Sequence, residues 1–463
     1  MNSTAYYFQE QAARISFDPE HRRRIDFNIG KYDQAVLRGK QHYRDLELAK
    51  CRAANLKSKT INKLDTYLAE FERNFTSRGG KVIWAQSERD AQKEILQIIK
   101  KAKATVIVKQ KSMVTEELGL NQLLEKNRRE VFETDLGEYI VQLAGEKPYH
   151  IVTPAMHKSR EDVSALFHEK FGIAEHAPPE EIAAFVREKL RKEFIRADVG
   201  ITGANFLIAD CGAVALTENE GNGILTMAFP RIHIAVAGIE KVIPSLEDLD
   251  LFLPLLATFG TGQRLTAYNN VLFGPGKPDE QSGPEQMYVV LLDNHRTEVL
   301  NYKEQRKALS CIRCGACLNG CPIYRNIGGY TYGTVYSGPI GSVISPHFKG
   351  FKDYNHLSFA SSLCGKCSEE CPVKIPLHEL LLYNRREAVM RKYPAFMWKK
   401  AIQGWNFVML HRWTLDRPGA SLKNRAIKMV AKKPWGPRRT LPKIAQKSFK
   451  ERWMEQQSIN RNA

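Results

Sequence analysis

The sequence predicts an α/β domain, with an open sheet covered by helices, followed by a small α-helical domain rich in cysteine. Short apolar strands alternate with helical segments between residues 78 and 300, which is typical of a parallel or mixed sheet. After Asn301 the chain turns to cysteine, glycine and proline. These two observations predict four parts in the 463-residue chain: a helical segment (1–77), the α/β domain (78–300), the cysteine-rich domain (301–390) and a basic tail (391–463).

The first 77 residues are predicted to be helical because Asp33 to Thr76 contains no proline and its apolar residues return at helical spacing. The α/β domain then offers one amphipathic helix, Pro179 to Arg196, among several strands. The predicted strands are 81–84, 104–109, 149–153, 204–209, 212–216, 231–236 and 286–292.

Composition and charge restrict the location of the protein and its partners. Hydrophobic residues make up 43% of the chain and charged residues 26%, which is ordinary for a folded soluble protein. No apolar run reaches about 18 residues, and the first residues do not resemble a secretory signal. We therefore expect a cytoplasmic protein whose only membrane contact is peripheral, at the inner face. The last 73 residues hold 18 Lys and Arg against 3 acidic residues, so this tail carries most of the net charge of +18.

Seven of the nine cysteines fall in two runs, and a cytosolic chain uses such clusters for metal or catalysis rather than for disulfides. The first run is Cys311-x2-Cys314-x2-Cys317-x3-Cys321-Pro322, the spacing with which ferredoxins hold cubane iron–sulfur clusters. In that pattern three cysteines turn onto one cluster and the fourth reaches the neighbouring cluster.

The second run, Cys364-x2-Cys367-x3-Cys371-Pro372, repeats this pattern with Ser361 in the place of its first cysteine. The crossing rule predicts two iron–sulfur clusters in a ferredoxin-like domain. The first is a 4Fe–4S cluster held by Cys311, Cys314, Cys317 and Cys371; the second is held by Cys321, Cys364 and Cys367. Because the second is one thiolate short, it is either a three-iron cluster or a four-iron cluster with a ligand other than cysteine on its last iron.

Zinc is the alternative for these thiolates, but it favours paired knuckles over a four-cysteine run that ends in proline. The two remaining cysteines, Cys51 and Cys211, stand alone and are predicted to be inert.

Two polar stretches of the α/β domain stand at strand ends, where open α/β sheets bind ligands. The first, Lys111 to Glu117, enters a helix that Ser112 and Thr115 are expected to cap. The second, Gly200 to Asn222, interleaves glycines with Asn, Asp and Glu. Tight turns and a ligand site are equally open interpretations of these loops.

Together with the cysteine runs, the stretches Ser112 to Glu117 and Gly200 to Asn222 resemble the lactate utilization protein B family along essentially the whole chain. The resemblance implies a LUD-type α/β domain, similar to those of sugar-phosphate isomerases, ahead of a two-cluster ferredoxin-like module. It also implies electron transfer in the oxidation of L-lactate to pyruvate, beside partner subunits of an oxidoreductase complex. In the family pattern the seven cysteines match one for one.

Two other functions stay open at this point. The chain could be a self-sufficient enzyme acting on a small carboxylate or phosphate, with Glu218 or Glu220 as acid or base. It could also be a nucleic-acid-binding iron–sulfur protein, but the basic tail has no binding motif, so no nucleic acid is expected. No G-x-G-x-x-G or P-loop is present to bind a nucleotide cofactor.

The tail itself is predicted to contain an amphipathic helix with a basic flank, because its apolar residues recur every three or four positions. These residues are Trp398, Ile402, Trp405, Met409 and Trp413. Such a helix packs on its own domain, docks to a partner subunit or lies on an anionic membrane surface.

Overall fold

The computed structural model describes residues 3–277, 279–280, 282–393, 396–417, 419–435 and 439–461. The chain divides into two compact units, Met1–Arg391 and Lys392–Ala463.

Four helices form the N-terminal segment: α1 (Ser3–Ser16), α2 (Pro19–Lys40), α3 (Leu46–Asn62) and α4 (Leu64–Thr76). The helical prediction is confirmed, but the run is interrupted where aspartates start new helices. The Asp18 carboxylate accepts the N–H groups of Glu20 and His21 at the start of α2, and Asp45 accepts that of Leu48 at the start of α3. Such caps satisfy backbone donors that have no partner inside the helix.

A six-stranded parallel sheet forms the centre of the α/β domain, in the order β1-β10-β7-β4-β2-β3. Its strands are β1 (Lys81–Ala85), β2 (Val106–Lys109), β3 (Glu130–Glu133), β4 (Val199–Thr202), β7 (Ile232–Gly238) and β10 (Gln286–Leu292). Val290 and Leu292 pack on one face of the sheet, and Val289 and Leu291 pack into a different core cluster. Burial on both faces explains the continuous apolar runs from which the strands were predicted.

A second, four-stranded sheet has the order β8-β5-β6-β9. Its strands are β5 (Phe206–Ile208), β6 (Ala213–Glu218), β8 (Val242–Ile243) and β9 (Tyr268–Leu272). Helices surround both sheets: α5 (Glu88–Lys101), α6 (Met113–Glu117), α7 (Leu120–Lys126), α8 (Leu136–Leu143), α9 (Arg160–Phe171), α10 (Pro179–Arg196), α11 (Asn222–Ala228), α12 (Leu249–Thr261) and α13 (Arg296–Leu300).

The strand predicted at 149–153 is wrong, although Tyr149 and His150 are buried. The backbone bends there because the His150 ring nitrogen Nδ1 accepts the N–H groups of Val152 and Thr153. Strand β4 lies at the start of the stretch Gly200 to Asn222, for which the sequence predicts loops at strand ends, so this part of the prediction is wrong. A Cβ on Gly200 would lie 1.9 Å from the carbonyl oxygen of Thr226, so this central strand needs glycine where α11 crosses it.

Short helices make up the cysteine-rich region: α14 (Ala316–Asn319), α15 (Pro322–Ile327), α16 (Gly338–Lys349), α17 (Phe351–Tyr354), α18 (His356–Phe359), α19 (Lys366–Glu369) and α20 (Leu377–Met390). One hydrophobic core runs from Ile25 of α2 through the second sheet to Leu381 of α20. The predicted parts 1–77, 78–300 and 301–390 therefore share a core, and their independence as domains stays a prediction.

The second unit consists of helices α21 (Phe396–Leu410), α22 (Arg412–Asp416), α23 (Ala420–Trp435) and α24 (Phe449–Arg461). The helix predicted over Trp398 to Trp413 is present as α21 as far as Leu410, but His411 is extended and Trp413 lies in the separate helix α22. Trp405 is 61% exposed and Leu410 80% exposed, whereas the side chain of Trp398 lies outside the described residues. Among the helices that the structure describes, none combines the length and the apolar character that a membrane crossing requires.

Candidate functional site

The first cysteine run wraps around one small cavity. Its walls include the four cysteines of the first predicted cluster, Cys311, Cys314, Cys317 and Cys371. Two backbone N–H groups point at the sulfurs: that of Arg313 donates to Cys311 Sγ (3.4 Å) and that of Ile375 to Cys371 Sγ (3.3 Å). Apolar side chains such as Ile312 and Val373 complete the walls. A pure thiolate donor set in an apolar shell fits an iron–sulfur cluster.

The other three cysteines form a second, more open group. Cys364 is exposed, Cys321 is half-buried and Cys367 is buried. Burial raises the pKa of the Cys367 thiol to about 11, and the neighbouring charges of Cys321 and Cys364 act in the same direction. The charges of Cys321 and Cys364 thus act on Cys367, which places the three thiols in one group, and their binding of iron stays a prediction.

The two runs have the same local backbone. Gly315 and Gly365 start short helices with φ near +81° and +82°, and each follows a cysteine. Only glycine adopts this left-handed conformation without cost, and it lets the next thiol of the run turn back toward the first. Ser361, at the missing cysteine position, accepts the N–H of Leu363 in its own turn (3.1 Å).

Cys51 and Cys211 lie outside both groups. Cys51 is exposed on α3 and accepts a hydrogen bond from Lys374 Nζ (3.2 Å). Cys211 lies between β5 and β6, and burial raises the pKa of its thiol to about 11. Neither position contradicts the prediction that these two cysteines are inert.

Three cations lie near the first cysteine group: Lys57, Lys241 and Arg313. Lys57 is buried and donates to the carbonyl oxygens of Glu240 (2.7 Å) and Val242 (3.2 Å), and burial lowers its pKa to about 7. Lys241 is also buried; burial and the nearby charge of Arg313 lower its pKa to about 8. The thiolate of Cys311 opposes these shifts electrostatically, so these cations favour negative charge on the cysteine group.

A buried ionic network joins this region to the α/β domain. Arg296, fully buried, donates to both carboxylate oxygens of Glu117 (3.0 and 2.9 Å) and to Glu240 (2.6 Å). Glu240 also pairs with Arg313 (3.3 Å), and Tyr336 donates to Glu117 (2.6 Å). Burial would raise the pKa of Glu240, but the surrounding cations outweigh it and lower that pKa to about 2.

A cavity of about 810 Å³ opens at the carboxyl edge of the parallel sheet. Both polar stretches found in the sequence line it, at Lys111 to Val114 and at Gly203 to Asn205, and so does Cys314 of the first cysteine group. The predicted capping of α6 by Ser112 and Thr115 is wrong: Ser112 makes no side-chain cap bond, and the Thr115 hydroxyl donates to the Ser112 carbonyl (2.7 Å). The Ser112 side chain is thus not used as a helix cap, and Ser112 is one of the residues that line the cavity.

The two candidate carboxylates, Glu218 and Glu220, line the same cavity. Glu218 accepts the N–H groups of Gly223 (2.6 Å) and Ile224 (2.9 Å), so it caps α11. Burial and the charge of Asp135 raise the pKa of Glu220, which accepts one bond from the N–H of Leu136 (3.2 Å). Of the two, Glu220 has the more available carboxylate.

Two domain families match the chain: the LUD domain over residues 68–292 and the 4Fe-4S dicluster domain over residues 307–375. Among curated relatives, Lactate utilization protein B of Bacillus licheniformis is 46% identical over 341 residues, which cover 73% of this chain and 71% of that protein. The protein of the same name from Shouchella clausii is 45% identical over 354 residues, covering 76% and 74% of the two chains. The chain belongs to the lactate utilization protein B family.

The family resemblance and the fold class predicted from the sequence are thus confirmed: a parallel-sheet α/β domain precedes an iron–sulfur module. A crystal structure of a DUF162 family protein from Deinococcus radiodurans aligns with 50% of this chain and 98% of that chain at 13% identity. The TM-score of this alignment is 0.25.

In this family member the cavity and the first cysteine group share a wall, which sequence reasoning missed. Arg313 lies between two cysteines of the first run, but the cysteine spacing does not indicate what its side chain contacts. Lys241 and Arg296 stand in no motif, so no sequence signal marked them. Their position depends on folding, which brings β7 and α13 next to the cysteines.

Proposed function

We propose that the chain is the iron–sulfur electron-transfer component of an L-lactate oxidation system, relaying single electrons between partner subunits and an acceptor. The observation that carries this proposal is the gathering of seven cysteines into two adjoining groups. The substrate, lactate, is inferred from the names of the relatives, and the electron relay is inferred from the cysteines. The two inferences are therefore tested separately.

In this proposal Cys311, Cys314, Cys317 and Cys371 hold a 4Fe–4S cluster, and Cys321, Cys364 and Cys367 hold a 4Fe–4S or 3Fe–4S cluster. Bound clusters of this kind exchange electrons singly, whereas lactate releases two together, so another subunit takes the pair first. The chain's own residues fix the sulfurs, exclude water from the first group and place cations beside it. Those cations favour the more negative, reduced state.

The tail supplies the proposed contact with partner subunits or with the inner face of the membrane. Its exposed apolar side chains, such as Trp405 and Leu410, lie on a helix in a strongly basic segment. Charge and apolar surface together are typical of docking segments.

The test compares the anaerobically purified chain alone with the chain combined with its partner subunits. Alone it is expected not to oxidise L-lactate with an artificial dye; in the complex it becomes necessary for that activity. Cys314→Ser and Cys367→Ser should abolish the electron relay and lower the iron content without blocking assembly of the complex. Cys51→Ser and Cys211→Ser are the matched controls, and they should leave the relay and the iron content unchanged. A colourless, zinc-containing protein would overturn the cysteine assignment.

Deletion of the gene tests the substrate. In a cell without other lactate dehydrogenases, growth on L-lactate as sole carbon source should stop, and unchanged growth would overturn the lactate assignment.

The cavity beside Cys314 favours one alternative, a self-sufficient enzyme acting on a small carboxylate or phosphate. Robust turnover of a substrate by the lone chain would establish that alternative in place of the relay.

A further inference from the structure

Lys241 presents an ammonium group to the cavity without a partner. It lies at the end of the turn that follows β7, is 6% exposed and lines the cavity at the sheet edge. In the part of the chain that the structure describes, no hydrogen bond or ion pair satisfies its Nζ. The adjacent carboxylate, Glu240, is already engaged by Arg296 (2.6 Å) and Arg313 (3.3 Å). Because an ionised group in a largely buried position is stabilised by an opposite charge, the unused donors of this ammonium group favour an anion in the cavity.

Arg313 offers a second free donor on the same wall. Its Nη1 is buried with no partner among the described residues, while its Nη2 pairs with Glu240. The guanidinium lies 4.6 Å from the centre of the Tyr336 ring, which fixes its plane. Arg313 and its neighbour Cys314 both line the cavity, so an anion bound here lies next to the first cysteine group.

The remaining lining indicates what kind of anion fits. The backbone N–H groups that start α11, the usual place for a phosphate at this edge of a sheet, already bind Glu218. Among the cations that line the cavity, Lys111 pairs with Asp135, Lys158 pairs with Glu146 and Lys31 lies over the Phe27 ring. Lys241 and Arg313 are the two that lie near the first cysteine group, and their donors suffice for the two oxygens of a carboxylate. Gln110, 5% exposed, adds an unpaired carboxamide oxygen that can accept from a hydroxyl or amine of the ligand.

We propose that this cavity binds an organic carboxylate, held by Lys241 and Arg313 beside Cys314. At about 810 Å³ the cavity is within the size range of ligand pockets and has room for more than a carboxylate group. This site is additional to the electron relay and does not depend on it. The competing explanation is that the two cations only offset the negative charge of the cysteine group.

Titration calorimetry on the anaerobic, cluster-containing protein tests the site, with pyruvate, oxalate and succinate as probes and inorganic phosphate for comparison. At least one carboxylate is expected to bind saturably, and phosphate is not. Lys241→Met should weaken that binding tenfold or more, because it removes a hydrogen bond between charged groups. Binding should also alter the electron paramagnetic resonance spectrum of the reduced first cluster in the wild type.

Lys50→Met is the matched control. Lys50 is a largely buried cation whose charge acts on Cys371, but it does not line the cavity; it donates to the Glu369 carbonyl (2.8 Å). It should leave carboxylate binding unchanged. Lys241→Arg keeps the charge and should retain most of the binding, which covers the case in which Lys241→Met does not fold. The proposal is overturned if no carboxylate binds at millimolar concentration, if phosphate binds equally well, or if Lys241→Met binds like the wild type.

Discussion

Single residues decide whether the buried ionic network of the first unit holds together, and Arg296 is the clearest case. Its guanidinium is fully buried between Glu117 of α6 and Glu240 beyond β7. Removing one member of a buried ionic network leaves the others charged and without a partner.

Arg296→Met is therefore expected to lower the free energy of unfolding by about 3–5 kcal/mol, because Glu117 and Glu240 lose their shared cation. Urea unfolding under anaerobic conditions measures it. Arg160→Met is the control: that side chain is 68% exposed in a surface pair, and its loss should cost below about 1 kcal/mol. Equal effects of the two substitutions would contradict a structural role for the network.

His233 makes stability depend on pH. It is fully buried in β7 beside Thr202 (2.8 Å), and burial lowers its pKa to about 3, against about 6.5 when unfolded. His233 is therefore protonated in the unfolded state at pH values at which it stays neutral in the folded state. The free energy of unfolding falls as pH falls from about 6.5 toward about 3. Between pH 7.5 and 5.0 this one residue should cost about 2 kcal/mol.

Urea unfolding of the wild type and of His233→Gln at both pH values isolates this effect. The variant, which cannot take up the proton, should lose about 2 kcal/mol less on acidification than the wild type. A parallel loss in both proteins would show that His233 is not the group responsible.

At the scale of elements, close packing and exposure decide which positions tolerate change. Strand β4 and helix α11 touch at Gly200, and the two cysteine groups differ in their access to solvent.

Gly200→Ala is expected to destabilise the protein by at least about 2 kcal/mol, because its Cβ would overlap the Thr226 carbonyl oxygen. Gly30→Ala, in the middle of α2 with no atom within 4 Å of the new Cβ, should instead stabilise by about 0.5–1 kcal/mol. Thermal unfolding of both variants checks the contrast, and a tolerated Gly200→Ala would mean that α11 moves freely on the sheet.

If the two proposed clusters are present, the second is expected to be the one damaged by oxygen, since only three cysteines are proposed to hold it and Cys364 is exposed. Brief exposure to air should produce a three-iron electron paramagnetic resonance signal that accounts for a single cluster per protein. The first cluster, walled by buried Cys314, Cys317 and Cys371, should keep its spectrum. Equal resistance of both clusters would indicate a fourth ligand in the second site.

For the molecule as a whole, the cysteine groups belong to the unit Met1–Arg391, and the basic tail makes up the unit Lys392–Ala463. Residues 416–463 hold 13 Lys and Arg against 3 acidic residues. Screening by salt weakens attraction between exposed charges, so contacts made by this segment should depend on ionic strength.

Removal of residues 416–463 should weaken association with partner subunits or anionic vesicles, mostly at low salt, and leave iron content unchanged. Co-sedimentation at low and high salt, with iron analysis of the same samples, measures both. Loss of iron on truncation would contradict a docking role and favour a structural one.

The sequence by itself determined what depends on local pattern: the fold class, the helix Pro179–Arg196, the strand Gln286–Leu292 and the division of the cysteines into two sets. Periodicity and ligand spacing are properties of neighbouring residues, so they can be seen before the chain folds. The bend at His150 and the strand through Gly200 were mispredicted because a side chain in one case and a helix in the other overrode local preference.

Only the tertiary structure decided that the sheet-edge cavity opens beside Cys314 and that Lys241 and Arg313 line it. It also decided that Arg313 and Arg296 share the carboxylate of Glu240. These residues come from the end of β7, the first cysteine run and the start of α13, and no spacing links them. Burial and charge pairing depend on which segments become neighbours in space, and that is a property of the whole fold.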